Sequence, residues 1–76
     1  MDTTYNGWSN FSTWNVALYI QNDYTMYELA RKFCSSFEQF RSKADYLYGW
    51  VATPDGVKLN DPAIDIEELD EMIQEL

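Results

Sequence analysis

Asp65-Ile66-Glu67-Glu68-Leu69-Asp70-Glu71-Met72-Ile73-Gln74-Glu75-Leu76 is the stretch that decides the fold. It reads as one amphipathic helix. Asp65 is a natural N-cap, because its carboxylate can take a free backbone N–H of the first turn. Glu68 stands at the matching third position, and Ile64 and Leu69 occupy the two staple positions around the cap. Ile66, Leu69, Met72, Ile73 and Leu76 recur at helical spacing and predict the buried stripe. Glu67, Asp70, Glu71 and Glu75 fall on the other side and predict an exposed acidic face. A helix with one apolar stripe needs other elements to cover it, so the rest of the chain must supply them.

Three further helices follow from the same signals. Asn10 is a good N-cap for a first helix in which Phe11, Trp14, Ala17, Leu18 and Gln21 keep helical spacing, with Val16 and Ile20 on a neighbouring stripe. Asn22-Asp23 ends that helix and caps the next, from Asp23 to about Cys34. There Met26, Leu29, Ala30 and Phe33 form the apolar stripe, and Arg31 and Lys32 suit the negative end of the helix dipole. Ser35-x-x-Glu38 has the capping-box pattern and opens a third helix with Phe37, Phe40, Ala44 and Leu47 on its apolar face and Gly49 as its stop. Between the third and last helices, Pro54-Asp55-Gly56 separates two short β-prone runs, 50–53 and 57–59. These predict a short hairpin lying on the helices. Upstream, Tyr5-Asn6-Gly7-Trp8 reads as a turn that folds two rings back onto the first helix. The fold expected is mainly α: four short helices on an aromatic core with a short hairpin before the last helix. A small α+β arrangement is the alternative. Trp14, Leu18, Leu29, Phe33, Phe40, Leu47 and Leu69 are the expected core.

With 76 residues the chain is expected to form a single domain, 1–76. A chain this short buries only about 60% of the surface its unfolded form exposes. Its 17% aromatic content offsets that limit, since each ring can bury roughly 150–250 Å². The one cysteine, Cys34, excludes an internal disulfide. Met1-Asp2-Thr3-Thr4 shows no basic region followed by an apolar run. Thr3–Asn22, the longest uncharged stretch, is too polar for a membrane span. The expectation is a cytoplasmic protein without membrane contact.

Charge carries the functional content. The net charge is −8. Residues 1–60 hold six acids and five bases, whereas residues 61–76 hold seven acids and no base. Free nucleic acid is therefore not the expected ligand, because phosphate binding needs clustered Lys and Arg. The expected partner is a protein with a basic surface, such as a nucleic-acid-binding host complex. On the last helix, acids at i, i+3, i+4 and i+8 spread over roughly 12 Å. A DNA strand presents one phosphate per ~3.4 Å, so the acids could occupy three or four phosphate positions of such a partner, as a DNA mimic does. The bland alternative is an ordinary solvated helix face. The rings Trp8 and Phe11 are the second candidate interface, since Trp and Tyr dominate binding hot spots. The bland alternative for them is core.

Catalysis is not expected. The chain has no His, which removes the commonest general base and metal ligand. Cys34 has no His partner, and Gly7, Gly49 and Gly56 are too far apart for a phosphate loop. Asp55-Gly56 and Asn60-Asp61 lack the spacing of a calcium loop. No cofactor and no metal is expected.

The stretch from Tyr5 to Asp23, YNGWSNFSTWNVALYIQND, resembles the opening of a family of small uncharacterised proteins of bacteriophages, plasmids and cyanobacteria. Members open with Tyr-Asn-Gly-Trp, then an aromatic, then Thr-Trp-Asn-Val, then an aromatic-rich helix ending in Asn-Asp. Asp55-Gly56-Val57, Asp61-Pro62 and Asp65–Leu76 are similar to some members as well. Phe11 and Tyr19 stand where the pattern has Tyr and Trp. The resemblance implies no activity and assigns no functional residue. It does imply a mobile-element setting, where small acidic proteins often inhibit host CRISPR and restriction complexes. The expected function is thus a small acidic inhibitor of a basic nucleic-acid-handling partner, of anti-CRISPR or antirestriction type. The alternative is a cellular regulatory or adaptor module that binds through its aromatic N-terminal segment.

Overall fold

A computed structural model of the protein describes residues 5–76. The Met1–Thr4 opening, read above for a leader, lies outside them. Four helices follow one another: α1 (Phe11–Asn22), α2 (Tyr24–Phe33), α3 (Phe37–Tyr48) and α4 (Ile66–Gln74). The fold is mainly α. The last helix is the hub and packs on α1, α2 and α3, while α2 lies between α1 and α3. Phe37, Phe40, Ile20, Leu59, Leu69 and Val16 are sealed in the core. No helix among the described residues is long and apolar enough to cross a membrane.

The caps follow side-chain chemistry. The Asn10, Asp23 and Asp65 side chains each accept a first-turn N–H, as the sequence requires. The third cap is shifted by one residue. Ser36, not Ser35, accepts from Gln39 N at 3.2 Å, and Gln39 Oε1 reaches back to Ser35 N at 2.8 Å. The cap is therefore Ser36, with Gln39 reaching one residue further back than a capping box requires, and Glu38 pairs with Arg41 instead. Gly49 ends α3 in the left-handed region, at φ 65°. The Asn6-Gly7 turn has positive φ at both positions, and Tyr5 and Trp8 exchange both backbone hydrogen bonds across it.

Several core expectations are corrected. Leu29, Phe40 and Leu69 are buried, but Trp14 and Leu18 are only half-buried, and Phe33 and Leu47 are exposed. Periodicity gives the side of a helix a residue faces, not how far the neighbouring helix extends. Phe33 is the last residue of α2 and Leu47 the penultimate residue of α3, and no other helix covers them. Ile66, the first residue of α4, is exposed for the same reason. In α1 the buried positions are Thr13, Val16, Ala17 and Ile20, with Asn15, so the neighbouring stripe is the buried one. Apolar residues surround α1 on all sides, and its polar anchors decide which face turns inward.

The expected hairpin contracts to a single antiparallel bridge, Ala52 with Lys58. Runs of three or four residues cannot sustain a ladder alone. Thr53 N donates to Val57 O and Leu59 N to Val51 O, and side chains tie the loop to α1. Thr53 Oγ1 donates to Asn15 Oδ1 at 2.6 Å, and Asn15 Nδ2 donates to Asp55 Oδ2 at 2.8 Å.

Candidate functional site

The acidic helix is fixed at its N-terminus by the start of α1. Asp65 Oδ1 accepts from Glu68 N at 3.2 Å, and Asp65 Oδ2 accepts from Ser9 Oγ at 2.9 Å. Asp65 N donates to Thr13 Oγ1 at 2.9 Å, and that hydroxyl itself donates to Asn10 Oδ1. Glu68 Oε1 accepts from Ser9 N at 2.8 Å. In a capping box this carboxylate would reach back to its own cap N–H. Here it binds the neighbouring helix's approach, and Thr13 takes its place. Two helix starts thus share one hydrogen-bond network. Asp65→Ala removes the cap and the Ser9 contact together, so it should destabilise by about 1–2 kcal/mol. Thermal unfolding checks this; a loss under ~0.3 kcal/mol would show that the cap is replaceable.

A shallow hollow of about 250 Å³ opens on this side of the molecule, lined by Gly7, Trp8, Gln21, Glu68, Glu71, Met72 and Glu75. The Asn6-Gly7 turn delivers Trp8 to it, and the half-buried ring packs on the core beside buried Met72. Glu68, Glu71 and Glu75 follow one another at i, i+3 and i+7, so one helix face presents all three carboxylates. Glu71 and Glu75 are exposed. Carboxylates only accept hydrogen bonds. With an indole at their edge they suit an ammonium or guanidinium group, which a ring face also attracts.

The six residues singled out in the sequence divide. Trp8, Glu71 and Glu75 come together in the hollow. Glu67 is exposed on the first turn of the same helix, outside it. Phe11 belongs to a separate cluster, its ring 5.4 Å from Tyr5 and 5.6 Å from Trp14. Asp70 is not part of a free acidic face. Its Oδ1 accepts from Phe37 N at 2.7 Å and so satisfies the first turn of α3. Glu68 joins the hollow unexpectedly, although its i−3 spacing from Glu71 was readable in the sequence.

Cys34 is half-buried against the core. Burial pushes its thiol up, and nearby Lys43 opposes this more weakly. Little thiolate forms near neutral pH, so Cys34 is a poor nucleophile. Among the described residues no group of three or more His, Cys, Asp or Glu side chains could hold a metal ion.

A small four-helix protein with an acid-lined hollow beside an indole is the class these features define. The chain belongs to a family described as a family of unknown function (DUF7249), which matches residues 1–76. No curated protein and no solved structure matches it.

Proposed function

We propose that the protein is a small, phage- or mobile-element-encoded inhibitor that binds the basic surface of a nucleic-acid-handling host complex through α4 and Trp8. Anti-CRISPR or antirestriction action is the most concrete form. The observation that carries the reading is the meeting of Trp8 with Glu71 and Glu75 around one hollow. Glu67 extends the same negative surface. A basic groove shaped for phosphates offers Lys and Arg to such a face, and complementary charge supports both association rate and specificity.

The test begins with a pull-down from the native host, identified by mass spectrometry. Glu67, Glu71 and Glu75 are then reversed to Lys, which takes the net charge from −8 to −2. Asp70 is left alone, because its reversal would strip the α3 cap contact. All three reversed residues are exposed, so each should shift stability by under ~0.5 kcal/mol, with Glu67 slightly worse for its dipole position. Capture of the partner should be lost at low salt. Capture by the parent should weaken steeply as salt rises and the screening length falls from about 10 Å at 0.1 M to about 3 Å at 1 M. A folded triple variant that binds as tightly as the parent would refute the acidic-face reading. The exposed Phe11, set edge-on to Tyr5, favours a second reading, an adaptor that binds through its aromatic segment. In that case Phe11→Ala loses binding and the charge reversal does not.

A further inference from the structure

The Asn6-Gly7 turn is placed for a reaction that the other asparagines and the Asp55-Gly56 turn are not. A backbone nitrogen one residue beyond an Asn side chain can close a five-membered ring onto its carboxamide carbon. The nitrogen must be free, and nothing bulky may shield the approach. Asn6 and Gly7 are both exposed. Tyr5 and Trp8 close the turn with their own backbone groups, at 2.7 and 2.8 Å, and Gly7 N has no backbone acceptor among the described residues. A Cβ on Gly7 would meet nothing within 4 Å, so the space around it is open. Asp55-Gly56 has the same form without that freedom. Gly56 N donates to Thr53 O at 2.9 Å, and Asp55 Oδ2 accepts from Asn15 Nδ2 at 2.8 Å. The side chains of Asn10 and Asn15 are bonded in the cap and loop networks described above, and Phe11 and Val16 shield the nitrogens that follow them. Asn22 and Asn60 precede aspartates, whose charge opposes loss of a proton from the next nitrogen.

We infer that Asn6 is a self-modifying site, which the folded chain converts to aspartate and isoaspartate, and that the isoaspartate form dismantles the acidic hollow. Gly7 N gives up its proton and bonds to Asn6 Cγ. The side-chain nitrogen leaves as ammonia, taking a proton with it, and a succinimide ring remains. Water then opens the ring. Addition at Cγ breaks the new bond and leaves aspartate. Addition at the Asn6 backbone carbonyl breaks the original peptide bond and leaves isoaspartate, with the chain rerouted through the side chain. Water replaces ammonia, and no oxidant or reductant is needed. Isoaspartate puts one more carbon into the backbone of a two-residue turn whose geometry is set by positive φ at both positions. Tyr5 and Trp8 then cannot keep both hydrogen bonds. Gly7 and Trp8 line the hollow, so the ring leaves the carboxylates as the net charge goes from −8 to −9. The reaction depends only on the turn, so it stands whether or not the hollow meets a basic partner.

Incubation of the full chain in warm, mildly alkaline buffer tests it, beside the same chain unfolded in urea. Peptide mapping by mass spectrometry should show a gain of about 1 Da at Asn6. An isoaspartyl methyltransferase should label the same peptide. The folded chain should convert at a rate within about tenfold of the unfolded one, and faster as pH rises, because the attacking nitrogen must lose its proton. Asn10, Asn15 and Asp55 should stay intact in the folded chain. In the isoaspartate fraction, isolated by ion exchange, the Trp8 indole N–H resonance should move. That of Trp50, which packs edge to face on Phe40, should not. Asn6→Asp carries the charge without the extra carbon, so its Trp8 resonance should stay near the parent's. Protection of Asn6 by the fold of more than about tenfold overturns the inference. So does equal conversion at Asp55, or an isoaspartate chain whose Trp8 resonance is that of the parent.

Discussion

Phe40→Ala should lower stability by about 3–5 kcal/mol, the largest single loss expected in this chain. Phe40 is fully buried at the end of the first turn of α3. Its ring lies 6.3 Å from Phe37 in a stacked arrangement and 5.8 Å from Trp50 edge to face. The substitution forfeits the transfer energy of the ring and leaves a cavity that its rigid neighbours cannot close. Both aromatic pairings go with it, each about 0.5–1.5 kcal/mol beyond burial. Small domains hold only about 5–15 kcal/mol in total. The melting temperature should fall by roughly 12–40 °C. Phe33→Ala, on the neighbouring helix but exposed, should cost under ~1 kcal/mol. Differential scanning calorimetry on the two variants separates them. Equal losses would mean that the two rings share one environment, contrary to the packing described.

What could be read from the sequence was local. Caps at Asn10, Asp23 and Asp65, the stop at Gly49 and the Asn6-Gly7 turn all depend on atoms within a few residues, and they stand where the side chains require. Ile66 apart, the stripe of α4 was readable because acids and apolar residues separate along that helix. α1 lacks that separation, so its inward face was misread by one stripe. The Asp70 contact with Phe37 N spans 33 residues, and no local pattern announces it. The same applies to the hollow. Glu71 and Glu75 were visible as acids on one helix face, but the meeting with Trp8 depends on how the Asn6-Gly7 turn lies over α4. Phe33 and Leu47 followed the right periodicity and still end in solvent, because a helix end outruns its neighbours by an amount only packing decides.

Asn15→Ala is expected to cost about 2–4 kcal/mol, although it removes only a short polar side chain. Asn15 is fully buried in α1, and its amide bonds the 53–57 loop at both ends. Its oxygen takes the hydroxyl proton of Thr53, which is itself buried. The Thr53 hydroxyl oxygen in turn accepts from Val57 N at 3.1 Å. Truncation leaves that hydroxyl without an acceptor in a place water cannot easily reach. An unsatisfied buried group of this kind costs about 1–3 kcal/mol, more than the net worth of the bond itself. Asp55 suffers less, since it is exposed and can be re-solvated. This ordering makes the cause testable. In a Thr53→Val background the stranded hydroxyl is gone, so Asn15→Ala should cost less than it does in the parent. A double-mutant cycle should return a coupling of about 1 kcal/mol or more. Asn15→Asp keeps the shape but sets a second carboxyl against Asp55. Burial and that like charge would raise the pKa of the introduced carboxyl above its unfolded value of about 3.9. A raised acid favours folding while protonated and loses that advantage as pH rises through its folded pKa. The Asn15→Asp deficit against the parent should therefore be smaller at about pH 4 than at about pH 8. Urea unfolding at the two values decides it, and a deficit independent of pH would show that the loop does not hold this side chain in the buried network.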